Sequence, residues 1–234
     1  MDITEPGDLP PGLGPLLREE TIVNAVTERL RSLILQGRFL PGARLRQVDV
    51  AEELGVSTTP VREALRALTA DGLLDSTPHR GVSVHNRTRE ELLDLFEMRL
   101  ALEPIAMRTV VECITSDELA AALALANAME YETRLPSRNE LNTRFHHLID
   151  KACRRPLLIE TITKLRHVSA IYVAQPIHDA PHRMQIANRQ HRQLLSAVEQ
   201  RDLEAAQEAV RSHLAYTLDL GLLALQGAAA GPGG

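Results

Sequence analysis

Leu54-Gly55-Val56-Ser57-Thr58-Thr59-Pro60-Val61-Arg62-Glu63-Ala64-Leu65 is the stretch that decides the fold. Gly55 supplies the left-handed residue that stops one helix. Thr59 and Pro60 then supply a side-chain cap and a pre-set φ for the start of the next. The spacing predicts two short helices joined by a tight turn. On the second helix Arg62 and Arg66 lie four residues apart on one face, while Val61, Ala64, Leu65 and Leu68 form the apolar side that packs inward. Downstream, Leu73-Leu74-Asp75-Ser76-Thr77 and Val82-Ser83-Val84-His85 read as a hairpin whose tip, Pro78-His79-Arg80-Gly81, is basic. Upstream, Thr21 to Gln36 carries Ile22, Val26, Leu30, Leu33 and Ile34 on one helical stripe that Gly37 ends. Arg44-Leu45-Arg46, after the Pro41-Gly42 turn, adds a short strand to the hairpin. This order of elements predicts a winged helix-turn-helix that reads duplex DNA. Ser57, Thr58 and Thr59, at the exposed start of the reading helix, offer hydroxyls and backbone N–H groups to phosphate.

Beyond residue 87 the periodicity becomes helical throughout. Thr88 with Glu91, Thr115 with Glu118 and Ser137 with Glu140 have capping-box spacing, and Pro136, Pro156, Pro176 and Pro181 punctuate the rest. Helical stretches fall at roughly 90–113, 117–133, 138–153, 157–174, 183–200 and 203–226. Six helices without a strand predict an antiparallel bundle. The fold class is therefore mainly α: an N-terminal winged helix-turn-helix domain followed by an all-α antiparallel bundle. Residues 1–18 and 227–234, rich in proline or glycine, read as flexible ends. Residues 19–87 form the DNA-binding domain and 88–226 the helical domain. With three Phe, three Tyr and no Trp, the core must be Leu, Ala, Ile and Val.

The net charge of -5 argues at first against a nucleic-acid partner, but its distribution reverses that reading. Residues 20–87 hold nine arginines and eight carboxylates, a balance of +1, which leaves -6 for the remainder. A near-neutral reader binds DNA when its arginines share one face. Dimerisation must then supply much of the affinity. No apolar run reaches the ~20 residues that span a bilayer, and the N-terminus lacks a secretory pattern, so a cytoplasmic protein with no membrane partner is expected. Cys113 and Cys153 fall in helical patterns without metal-type pairing and read as buried free thiols.

Asn142 and His146 lie four residues apart and project from one face of the third bundle helix. His191 falls on the fifth helix and His213 on the sixth. A bundle brings such helices together, so three imidazoles and an amide oxygen can converge on a metal ion. Nine histidines in 234 residues also land on helices as solvated side chains, and spacing leaves both readings open. His147 is rotated by about 100° from His146 and points elsewhere. His167, His178 and His182 match no ligand pattern.

The run from Leu54 to Leu68, with Gly72-Leu73-Leu74 and Arg80-Gly81, resembles the DNA-binding domain of GntR-type bacterial transcription regulators over roughly residues 20–85. Ser57, Thr59, Arg62, Arg80 and Gly81 match that family's DNA-contacting pattern, with Arg46, Arg66 and His79 as further candidates. Thr58 stands where an arginine is usual, which implies a shifted operator sequence. Glu97-Met98-Arg99-Leu100-Ala101-Leu102-Glu103-Pro104, Asn142-Thr143-Arg144-Phe145-His146, His191-Arg192-Gln193-Leu194-Leu195 and Arg211-Ser212-His213-Leu214 resemble the motifs of the FCD effector domain over residues 90–222. That resemblance implies a homodimer acting on double-stranded operator DNA, commonly as a repressor. It also implies a divalent metal, zinc before nickel or manganese, held by Asn142, His146, His191 and His213, with a small organic acid as effector. Asparagine replaces the usual aspartate at position 142. It coordinates through its carbonyl oxygen and leaves the ion its full charge, favouring an anionic ligand. Arg99 either grips an effector carboxylate in a fork of hydrogen bonds or pairs with Glu97 or Glu103.

Two other readings accompany the regulator. A histidine triad with an open position could activate water in a metal-dependent hydrolase-like enzyme carrying an accessory DNA-binding-like domain, but the chain has no His-Glu-x-x-His arrangement. Alternatively, the metal of a regulator is purely structural.

Overall fold

A computed structural model describes residues 17–77 and 81–229; of these, the side chains of 17–20, 175, 178 and 227–229 are left aside. In chain order the elements are α1 (Leu17–Leu35), β1 (Arg44–Leu45), α2 (Gln47–Leu54), α3 (Thr58–Ala70), β2 (Leu74–Thr77), β3 (Gly81–Val84), α4 (Arg89–Cys113), α5 (Ser116–Tyr131), α6 (Leu135–Ala152), α7 (Pro156–His178), α8 (Pro181–Glu199) and α9 (Leu203–Ala229). The three strands form one antiparallel sheet in the order β1-β3-β2, with Leu45 opposite Val82 and Thr77 opposite Gly81. The wing tip residues His79 and Arg80 lie outside the described residues. Among the described residues, no helix is long and apolar enough to cross a membrane.

The N-terminal core follows the apolar stripes. Val26, Leu30 and Ile34 of α1 pack with Val61, Ala64, Leu65 and Leu68 of α3, and Leu45, Leu73, Leu74 and Val84 close the sheet side. Each fully buried Leu, Ile or Val contributes about 1.5–3 kcal/mol, enough to hold a reader of this size around so small a sheet. Gly55 ends α2 at φ +64, and its N–H turns back to the carbonyls of that helix, the left-handed stop expected there. Within this domain, Arg31 of α1 pairs with Asp71, just after α3, at 2.8 Å.

In the bundle α4 packs against α9, α7 and α6, α8 lies on α9, and α5 bridges α6 and α8. Among the described residues, Leu92, Phe96, Met129, Phe145, Ile162 and Leu214 are its largest fully buried side chains. Both Thr88/Glu91 and Thr115/Glu118 form complete capping boxes, with hydroxyl and carboxylate each bonding the other residue's backbone N–H.

Several boundaries differ from the sequence reading. The first helix begins at Leu17, so residues 17 and 18 belong to it and not to a flexible lead-in; residues 1–16 lie outside the described residues. Residue 57, not Thr59, is the N-cap of α3, and no side chain caps that helix; Pro60 sits inside the first turn, where a missing N–H costs nothing. Ser137 and Glu140 do not start α6. It starts at Leu135 with Pro136 in the first turn, so proline geometry overrides the hydroxyl signal. The next helix runs through Pro176 to His178, so that proline does not end it. The last helix continues to Ala229, so part of the supposed tail is helical, and residues 230–234 lie outside the described residues. Cys153 is buried as expected, whereas Cys113, the final residue of α4, is exposed.

Candidate metal centre and DNA-reading face

On α6, residues 138, 142 and 146 recur at every fourth position and share one helix face. This stripe presents Arg138, Asn142 and His146 to a cavity of about 70 Å³ that His191 from α8 and His213 from α9 also line. The ligating atoms of His146, His191 and His213 all lie within 4.8 Å of one another. Ring centroids are 5.1 Å apart for His146 and His191, 4.9 Å for His191 and His213, and 5.6 Å for His146 and His213. Asn142, half-buried, lines the same cavity. All four sequence-selected ligands therefore face one space, and His147 points out to solvent.

The protonation states suit metal binding. Burial is the first cause that holds His146 and His191 well below the usual imidazole range, and it lowers His213 to about 4. All three are neutral donors at pH 7. Gln190 Oε1 accepts from His213 Nδ1–H at 3.0 Å, which leaves Nε2 with its lone pair. His191 is 2% exposed and, among the described residues, neither of its ring nitrogens has a hydrogen-bond partner. A buried imidazole without partners costs free energy unless something supplies them. Three imidazole nitrogens, with the Asn142 amide lining the same cavity, are a donor set that fits a divalent ion such as zinc.

A buried charge network lies beneath the histidines. Arg99 Nε donates to Glu103 at 2.7 Å and its Nη1 to Ser169 at 2.8 Å; Arg166 pairs with Glu103 at 3.0 Å and with Asp150. Burial by itself would raise the Glu103 carboxyl, yet Arg166 and Arg99 overcome it and hold the group at about 2. Burial pushes the Asp150 carboxyl up, against the pull of Arg166. Of the two readings of Arg99, the contact made here is the ion pair with Glu103, although the side chain also lines the cavity. Sequence reasoning missed Gln190, Asn188, Ser169, Asp150, Arg166 and Arg138. Only Arg138 carried a legible signal, its place four residues before Asn142.

The reading face is separate and exposed. Ser57, Thr58 and Thr59 at the start of α3, together with Arg62, Arg66, Arg46 and Gly81, are all exposed. Arg62 and Arg66 flank Glu63, at 3.4 and 3.0 Å, and with Gln47, Ser76 and Val82 they line a groove between α3 and the wing. Surface pairs of this kind are weak and are easily exchanged for phosphate or base contacts. Gly81 takes φ +82, the backbone state that glycine alone adopts without strain.

Two features join the two regions. Tyr172 of α7 donates its hydroxyl to His85 O at 2.6 Å and accepts from Arg87 N at 2.8 Å, gripping the chain between β3 and α4. Asn139 Nδ2 donates to Leu35 O at 3.1 Å, so the last residue of α1 is tied to the cavity helix and itself lines the cavity.

Fold and site together define a winged-helix DNA reader joined to a helical domain with a histidine-lined cavity. The gntR family of bacterial regulatory proteins matches residues 22–84, and the FCD domain matches residues 94–216. This chain belongs to the GntR family of transcriptional regulators and carries an FCD domain. It is 30% identical over 194 residues to the uncharacterized HTH-type transcriptional regulator YdhC of Bacillus subtilis (strain 168), covering 79% of this chain and 84% of that protein. It is also 30% identical over 214 residues, 86% of this chain and 89% of the relative, to the probable D-xylose utilization operon transcriptional repressor of Paenarthrobacter nicotinovorans. Among solved structures, E. coli McbR/YncC superposes with a TM-score of 0.76 at 25% identity, covering 89% of this chain and 98% of that one. These relatives are transcriptional regulators, and the hydrolase-like alternative gives way to them.

Proposed function

We propose that this chain acts as a homodimeric repressor whose operator affinity is set by a small organic acid bound at a divalent metal in the helical domain. Residues up to 87 read double-stranded operator DNA in the cytoplasm through Ser57, Thr58, Thr59, Arg62 and Arg80, with Arg46, Arg66, His79 and Gly81 beside them. Residues 88–226 pair the two copies and hold the effector. The observation that carries the sensing half is His191, fully buried with two unpartnered nitrogens and facing two further imidazoles from different helices. His146, His191, His213 and Asn142 would hold the ion, zinc first with nickel or manganese as alternatives; imidazole donors suit zinc and nickel better than manganese. The ion supplies positive charge for an acid oxygen. The chain's own residues keep the imidazoles neutral by burial and line the cavity with arginines.

An occupant of the cavity meets Leu35, and α1 packs directly on the reading helix α3. That contact supports a route from effector to operator, provided that the ligand distinguishes two arrangements of α1. A structural metal without an effector is the competing reading. Operator fragments selected from genomic DNA by the purified dimer provide the assay. Stripping metal with a chelator is expected to change operator affinity, and restoring zinc and then adding small carboxylates is expected to change it again. A response to chelator alone favours the structural metal, and a response to neither overturns both readings. His191→Ala is expected to lose bound zinc by elemental analysis of untagged protein, and full retention refutes the ligand assignment.

A further inference from the structure

Arg138 is a buried charge that the site described so far does not use. It is 5% exposed, lines the cavity and, among the described residues, has no carboxylate partner. Its Nη2 donates to the neutral Asn188 Oδ1 at 2.8 Å, and its Nε–H has no acceptor. The other two cavity arginines are accounted for: Arg99 and Arg166 are matched by Glu103 and Asp150. A guanidinium keeps its charge when buried, and burial is the cause that acts against Arg138. A lone buried cation is unfavourable by itself unless an anion arrives to pair with it.

Position gives that anion an address. Asn188 precedes His191 by three residues on α8, a rise of about 4.5 Å, so the guanidinium it holds sits roughly one helical turn from the histidine cluster. Arg138 also stands on the α6 stripe that carries Asn142 and His146. Neutral imidazoles and a neutral amide contribute nothing to cancel a divalent ion's charge, so a monoanion would leave the cavity strongly positive.

Building on the proposed effector site, we infer that Arg138 is a second anion anchor and that the effector is a short dicarboxylate, one carboxylate at the histidine cluster and the other on Arg138. Asn188 is a positioning residue that aims the guanidinium. The cavity, about 70 Å³, favours a short diacid over a long one.

The test uses the full-length protein loaded with zinc alone, titrated calorimetrically with malonate, succinate and glutarate, each against the monoacid of the same chain length. At least one diacid is expected to bind ten-fold or more tighter than its monoacid. Arg138→Met keeps an unbranched side chain about as long as the arginine's aliphatic stem and removes the guanidinium charge; it is expected to bring that ratio to about two or less while zinc content is unchanged. Arg138→Lys, which keeps the charge, is expected to retain a larger part of the preference. A readout independent of ligand is the thermal midpoint of the metal-free protein, which Arg138→Met should raise, because an unpaired buried cation is gone. Monoacid and diacid binding alike in the wild type, or an undiminished preference in Arg138→Met, overturns the inference while leaving the effector site standing. Failure of every acid to bind the zinc-loaded protein overturns both.

Discussion

At the scale of single residues, the bundle stores its polarity in a few buried groups whose states are set by neighbours. Glu103 faces two arginines, and its loss would leave both with less than their matching charge. Glu103→Gln is therefore expected to destabilise the protein by about 3–5 kcal/mol, read from the urea midpoint at constant m. A loss below about 1 kcal/mol would mean that the arginines find other partners. His167 on α7 behaves differently. Burial first, then Arg31 and Arg166, lowers its pKa to about 4 from the ordinary 6.5. The folded chain refuses a proton that the unfolded chain accepts, so this stabilisation is complete above about pH 6.5 and is lost as pH falls through 4. In metal-free protein, where the clustered histidines add a slope of the same sign, His167→Gln is expected to flatten the fall of the thermal midpoint between pH 6.5 and 4. Parallel wild-type and variant curves would remove His167 from the account.

At the scale of elements, helix α7 matters more than its plain apolar pattern suggests. Through Tyr172 it holds both sides of the connection between wing and bundle, so one hydroxyl satisfies His85 O and Arg87 N at once. Tyr172→Phe leaves both backbone groups without that partner and is expected to cost about 1–3 kcal/mol. The loss should appear as faster amide exchange at Arg87. Unchanged protection there would show that water replaces the phenol. Helix α6 is the matching element on the ligand side: one face carries Arg138, Asn142 and His146, while Asn139 reaches the end of α1.

For the molecule as a whole, the proposed regulator depends on two reading heads acting together, because each head is nearly neutral. Arg62→Ala is expected to weaken operator binding by roughly 1–3 kcal/mol if the guanidinium reads a base edge. The measurement is a titration against the selected operator and against random DNA of equal length. A uniform loss on both would assign Arg62 to phosphate, and no loss would take it off the interface. Its pair with Glu63 is exposed on both sides and too weak to mask the effect.

Local grammar made most of the architecture legible. Gly55 stopping a helix, the capping boxes at Thr88 and Thr115, and the alternation of apolar residues act over a few residues, and each works from one stretch of chain alone. The clustered histidines were also within reach, because the motifs that resemble the FCD domain carry them. Where local signals competed, as at Ser137 against Pro136, the chain alone did not rank them. The inward stripe of α6 was visible at Asn142 and His146, yet nothing in residue order said that Arg138 would end without a carboxylate. That depends on which arginines Glu103 and Asp150 reach, on α4 and α6, and those pairings form between residues as much as 63 positions apart. Charge balance inside a cavity is a sum over helices brought together by packing, so it exists only once the bundle has closed.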